Sequence, residues 1–275
     1  MPQIHVDFIR HGHSCSNLAQ DLRGFGLYYK FVENDPELSS LGQEMAVVVE
    51  QNIRDNNPQR LVRPCPNEPG ERNEPVKMCP DYLYSSPLRR AIETAHTMWP
   101  TQQIVIAPHL LEHGIGHENV PLPRLKQEQL LVQRYPDLQG KLVQHTIDSK
   151  IASPKDPKSP KAARSVDAYK THGNLEKFIE WLHGDLGQLR STDGDIFVSV
   201  VTHSILMKGS LGLSAKPNNQ SIFRVSWGID RWNNTPKGLK LKGHAIKMYN
   251  GLHVDRSQLM RGKQQSTQCE WYGKF

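Results

Sequence analysis

Short apolar blocks alternate along this chain with stretches of helical period. Residues 3–9 (QIHVDFI) are β-branched and apolar, which predicts a buried strand ending at Arg10. Residues 81–85 (DYLYS), 104–107 (IVIA) and 196–202 (IFVSVVT) predict strands, the last most strongly, and two more are expected at 222–229 and 241–249. Helical stretches fall between them. Residues 39–53 open on Ser39 or Ser40, a capping residue type. The segment LRRAIETAHTMW follows Ser86-Pro87, with Ser as the expected N-cap and Pro suited to the first turn. Further helices are predicted at 124–135, at 204–212 and at 168–190, where Leu175, Phe178, Ile179, Leu182 and Leu186 share one face.

Strands that are continuously apolar and alternate with helices imply an α/β fold with a mostly parallel central sheet and helices on both faces. Residues 1–275 are expected to form a single domain. Two stretches interrupt it as surface insertions. Residues 54–80 hold six prolines, and residues 149–164 (SKIASPKDPKSPKAAR) are rich in Lys, Pro and Ser. Ligands of such sheets bind beyond the carboxyl ends of the strands. Two of the best strands end in Arg10-His11-Gly12 and Thr202-His203-Ser204, so this pair of histidines marks a candidate pocket.

Composition narrows the picture. No run of about 18 apolar residues occurs, so no membrane-spanning helix is expected. The N-terminal MPQIHVDFIRHGHS reads as a strand and lacks the basic-then-apolar pattern of a signal peptide. The four cysteines, Cys15, Cys65, Cys79 and Cys269, are too few for a disulfide scaffold and match no zinc spacing, so a reduced, cytoplasmic protein is the expectation. The formal charge is +6, and the segment Pro236 to Phe275 accounts for all of it with six lysines and two arginines against Asp255 and Glu270. Such a segment is either a solvated edge or an attraction for polyanionic ligands. Zinc-finger spacing and aromatic-rich basic motifs are missing, so nucleic acid is not an expected partner.

Five short segments carry the chemistry. They are Ile9-Arg10-His11-Gly12-His13-Ser14-Cys15-Ser16-Asn17, Asp35-Pro36-Glu37-Leu38-Ser39-Ser40-Leu41-Gly42, Tyr84-Ser85-Ser86-Pro87-Leu88-Arg89-Arg90-Ala91-Ile92-Glu93-Thr94-Ala95, Leu110-Leu111-Glu112-His113-Gly114-Ile115-Gly116, and Val200-Val201-Thr202-His203-Ser204. In this order the set resembles the histidine phosphatase superfamily, which includes the phosphoglycerate mutases. Arg-His-Gly alone is a weak signal, whereas the block around Arg90 is specific.

The resemblance implies a phosphoglycerate mutase-like fold and assigns roles. His11 is the implied nucleophile, kept neutral by neighbouring cations. Arg10, Arg90, His203 and Asn17 are the implied phosphate-binding groups, His203 also counting with the catalytic residues. Glu112 is the implied proton donor, with Glu118 and Glu128 as nearby competitors. The family arginine falls on Arg90, leaving Arg89 turned about 100° away toward solvent. Histidines 109, 113 and 117 flank Glu112. Neither a metal nor another cofactor is implied.

The function so implied is a metal-independent, histidine acid phosphatase-like phosphomonoesterase. It would act through a phosphohistidine on a small phosphorylated molecule, a polyanionic one if the basic segment takes part. Two alternatives stay open. A phosphoglycerate mutase-type phosphotransferase is disfavoured by His13, where such relatives tend to carry Glu, and by a first tryptophan as late as Trp99. A catalytically weak protein that binds a phosphorylated ligand is the other. The physiological substrate and the oligomeric state are not legible in the chain.

Overall fold

A computed structural model of the chain describes residues 3–23, 34–56, 63–64, 78–112, 117–144, 173–186, 194–228, 241–252, 257 and 269. The strands are β1 (Gln3–Arg10), β2 (Arg63–Pro64), β3 (Met78–Cys79), β4 (Tyr82–Ser85), β5 (Ile104–Ile106), β6 (Leu142–Gln144), β7 (Ile196–Thr202), β8 (Ile222–Gly228) and β9 (Ile246–Tyr249). The helices, in chain order, are α1 (Cys15–Arg23), α2 (Ser40–Asn56), α3 (Arg89–Met98), α4 (Arg124–Arg134), α5 (Leu175–Leu186) and α6 (Ser204–Leu211).

Among the described residues, seven strands form one sheet in the order β6-β5-β4-β7-β1-β8-β9. The pairings from β6 to β1 are parallel, while β8 and β9 complete the other side antiparallel. The apolar strands are buried on both faces, as their continuous patterns require. Phe8 and Val200 join one core cluster, while their neighbours Ile9 and Val201 join the other. The first cluster is filled by α5 and α6, the second by α2, α3 and α4. Val198, Val200 and Val201 are fully buried, and each contributes about 1.5–3 kcal/mol relative to exposure. The chain is an α/β protein with a mostly parallel sheet between helices.

Several expectations are corrected. The helix after Ser86-Pro87 begins at Arg89, and Leu88 in the N-cap position offers no side-chain cap. The acceptor comes from a distant segment: Arg89 N donates to Asp35 Oδ1 at 2.6 Å. The strand expected at 241–249 starts only at Ile246, because residues 242–244 form a turn with Gly243 at φ 81°. α1 and β6 are not foreshadowed by the sequence pattern, being short and mixed in polarity. Within 54–80 the described residues include the ladder Arg63↔Cys79. The insertion at 149–164, the ends of the 168–190 stretch and most of the basic segment lie outside the described residues.

The expectation of reduced cysteines is also overturned. Cys15 forms a disulfide with Cys269, 254 residues away, and Cys79 is disulfide-bonded as well. Spacing rules read local clusters, so a bridge of this separation leaves no trace for them. Among the described residues no helix is long and apolar enough to cross a membrane.

Candidate active site

The parallel pairing of β1 with β7 places Arg10 opposite Thr202. The next residue of each strand is a histidine, so the sheet register itself delivers His11 and His203 side by side, ring centroids 5.0 Å apart. The loop after β1 is pinned at several points. His11 N donates to Thr202 O, Asn219 Nδ2 donates to His11 O, and Gly12 N donates to Thr94 Oγ1. Thr94 in turn donates to Arg90 O, so α3 and the loop are tied through one hydroxyl. Gly12 suits this closeness: a Cβ there would stand 2.9 Å from Leu38 Cδ1 and 3.0 Å from Gly42 O, so its neighbours would have to give way.

Hydrogen bonding fixes the state of His11. Its Nδ1 lies 2.6 Å from the carbonyl of Gly12, which can only accept, so Nδ1 carries the proton. Arg90 Nε donates to His11 Nε2 at 3.3 Å, so Nε2 holds the lone pair. Burial lowers the pKa of His11 well below 6.5, and the charges of Arg90 and Arg10 push it the same way. His203 is lowered well below 6.5 too, by burial first and then by Arg90, His11 and Arg10. Both rings are therefore neutral at pH 7.

The cations have fixed seats. Arg90 NH1 donates to Glu118 O at 2.6 Å and NH2 to Asn119 Oδ1 at 2.8 Å. Arg10 NH1 donates to Pro217 O at 2.7 Å. Burial, opposed by the charge of Glu112, brings Arg10 down to about 10, which leaves it cationic at neutral pH. His203 shares a 2.7 Å hydrogen bond with Ser86 Oγ through Nε2. The buried Nε of Arg10 and Nδ1 of His203 have no hydrogen-bond partner among the described residues.

Of the three candidate acids, Glu112 is buried and close enough for its charge to favour protonated Arg10. Its carboxylate accepts from Ile205 N and Leu206 N at the start of α6, the helix that His203 precedes. Glu118 serves Arg90 through its backbone oxygen, and Glu128 is engaged on the flank of α4 by Arg124. His113 lies outside the described residues. Asn17 Oδ1 accepts from Ser14 N and Ser14 Oγ, closing the turn into α1. His13 is buried, shares a hydrogen bond with Ser39 through Nδ1 and donates through Nε2 to Asp21.

The expectation that Arg89 faces solvent is not met. Nearly every residue of α3 is buried, so the side chain turned away from the site enters a second cluster. Arg89 pairs with Glu37 at 3.0 Å and Glu93 at 3.7 Å, and Arg134 reaches Glu93 at 3.3 Å. Burial raises Glu93 to about 7 against the pull of Arg134 and Arg89. Sequence reading also missed Ser86 and Asp35 as individual contributors, although both stand in quoted motifs. Asn219 carries no sequence signal at all.

No protein-family model matches the chain, and no curated protein matches it. Among solved structures it aligns with one described as "Mycobacterial hydrolase 2", at 16% identity over 97% of this chain and 99% of the other, TM-score 0.47. A phosphoserine phosphatase from Entamoeba histolytica in complex with 3-phosphoglyceric acid aligns at 16% identity over 91% and 98%, TM-score 0.41. An ecdysone phosphate phosphatase from Bombix mori in complex with tungstate aligns at 16% identity over 82% and 90%, TM-score 0.47. These are likenesses at low identity with TM-scores under 0.5, and the reading of the site rests on its own geometry.

Proposed function

We propose that this protein is a phosphomonoester hydrolase that works through a phosphohistidine on His11. One observation carries the reading: a buried, neutral imidazole whose Nε2 lone pair meets the Nε–H of Arg90 at 3.3 Å. In the first step Nε2 attacks phosphorus, an N–P bond forms and the ester O–P bond breaks. Glu112, which takes up a proton as the anionic ester binds beside it, gives that proton to the leaving alcohol oxygen. Arg10 and Arg90, with His203 Nδ1 and Asn17 Nδ2, donate to the phosphoryl oxygens as charge builds on them. Nδ1–H donates its hydrogen bond to the Gly12 carbonyl throughout, which favours the cationic ring of the phosphohistidine. In the second step Glu112, now a carboxylate, takes a proton from water as its oxygen attacks phosphorus. The N–P bond breaks, phosphate leaves, and His11 and Glu112 return to their starting states.

This chemistry draws its positive charge from arginines, which is the sense in which the enzyme is metal-independent. A small phosphate monoester is the substrate class, and the basic segment 236–275 favours one with further negative charge. Raised salt then increases KM for such a substrate more than for a simple aryl phosphate; equal effects would remove the preference. The test of the function is phosphate release from an aryl phosphate by wild type beside His11→Ala. Turnover lost in a folded variant supports the phosphatase. Silence of both proteins, with vanadate still bound, supports the phospho-ligand-binding alternative, and interconversion of 2- and 3-phosphoglycerate supports the phosphotransferase.

A further inference from the structure

Asp35 is not one of the reacting groups, yet its carboxylate is held at both oxygens. It is fully buried, and it adopts φ 53°, a left-handed conformation uncommon for a residue other than glycine. Three donors converge on it. Arg89 N reaches Oδ1 at 2.6 Å, while Leu122 N at 3.2 Å and Gln127 Nε2 at 2.6 Å reach Oδ2. Gln127 Nε2 also donates to Pro87 O at 2.7 Å.

Two of these donors, Arg89 N and Leu122 N, come from the segments that determine where Arg90 can be, and the third stands on α4. Arg89 N opens α3, and Arg90 is the next residue. Leu122 ends the segment whose Glu118 carbonyl and Asn119 side chain hold the guanidinium. One carboxylate thus fixes both the backbone from which Arg90 departs and the seat in which it ends. The start of α3 has no side-chain cap of its own, so Asp35 also supplies the acceptor that its N-terminus lacks.

We infer that Asp35 is a positioning residue for Arg90, holding the Arg90 guanidinium against His11 by clamping the start of α3 to the 117–122 segment. This rests on the phosphohistidine reading of the same site. Asparagine accepts the left-handed conformation well, so Asp35→Asn leaves the backbone suited and alters the acceptor alone. Its amide presents an N–H toward at least one of the three donors, and that hydrogen bond is lost.

The experiment is a double-mutant cycle of Asp35→Asn and Arg90→Gln, read by aryl phosphate hydrolysis across pH. Asp35→Asn is expected to lower kcat/KM about 10–100-fold and to move the acid limb of kcat upward, as Arg90→Gln does, because the cation has left His11 while Arg10, His13 and His203 stay. In the Arg90→Gln background the Asp35 change then costs less than about twofold. Losses that multiply in the double variant, or an acid limb unmoved by Asp35→Asn, overturn the inference. If Asp35→Asn does not fold, Gln127→Leu replaces it, removing one donor from the clamp. A loss of about 3–10-fold that occurs only while Arg90 is present supports the inference, and an equal loss in the Arg90→Gln background overturns it. Wild type that does not turn over, or Arg90→Gln as active as wild type, instead removes the phosphatase reading, and the inference falls with it.

Discussion

Arg90 donates its Nε–H to His11 Nε2 at 3.3 Å, while His11 donates its own Nδ1–H to the Gly12 carbonyl at 2.6 Å. The two bonds select one tautomer and place a permanent cation against the ring. Arg90→Gln is therefore expected to lower kcat/KM about 10²–10³-fold, the cost of one lost charge-stabilising donor. It is also expected to raise the pKa of His11, which burial and then the charge of Arg90 depress. The depressed pKa keeps Nε2 unprotonated well below pH 6.5, so activity persists toward acid in wild type. A kcat profile against pH checks both statements, and an acid limb that does not move in the variant contradicts the second.

Glu93 predicts a stability effect of definite sign. Its folded-state pKa is about 7, above the ordinary 4.5, with burial as the main cause. The folded state therefore holds this proton more tightly than the unfolded chain. The resulting stabilisation is complete below about pH 4.5 and is lost as pH rises toward 7. The slope is at most about 1.4 kcal/mol per pH unit. His11 and His203, with depressed values, act oppositely, since the unfolded chain takes up their protons first on acidification. Denaturant melts of wild type and Glu93→Gln at several pH values isolate the Glu93 share. A difference between the two proteins that stays constant from pH 4.5 to 7 contradicts it.

Gly42 packs directly on the loop that follows β1. A Cβ at this position would stand 2.0 Å from His13 O, a backbone atom that cannot step aside alone. Gly42→Ala is expected to cost about 3 kcal/mol and to displace the His11 loop, lowering kcat along with the melting temperature. A melting temperature within error of wild type would show that the contact is not as close as described.

The Cys15–Cys269 bridge closes nearly the whole chain. Constraint of the unfolded state by a loop of this size is worth about 5 kcal/mol in the chain-entropy model. Cys269→Ser, or a reductant, is expected to lower the melting temperature markedly. A melting point indifferent to both treatments would contradict this contribution of the bridge to stability.

Much of the fold is legible because its strands are buried on both faces. Residues such as Val198, Val200 and Val201 write that burial directly into the sequence. The candidate site is legible to the same degree at the strand ends, where register alone brings His11 beside His203. What escaped is held by long-range partners. Arg89 looks like a surface residue until Glu37 and Glu93 are seen around it. Ser86 looks like an N-cap, but its hydroxyl accepts from Leu88 N only at 3.4 Å and bonds His203 at 2.7 Å, while the first N–H of the helix goes to Asp35. Local pattern reports helices and strands. It does not report which distant oxygen meets a given N–H.

The central claim is a covalent one, and it is tested most directly by stopping the reaction during turnover of an aryl phosphate. The protein is denatured in alkali, where phosphohistidine survives, and its peptides are weighed. A phosphoryl group on the peptide that carries His11, present in wild type and missing from His11→Ala, is the expected result. Turnover with that peptide unmodified, or hydrolysis by His11→Ala at the wild-type rate, would contradict it.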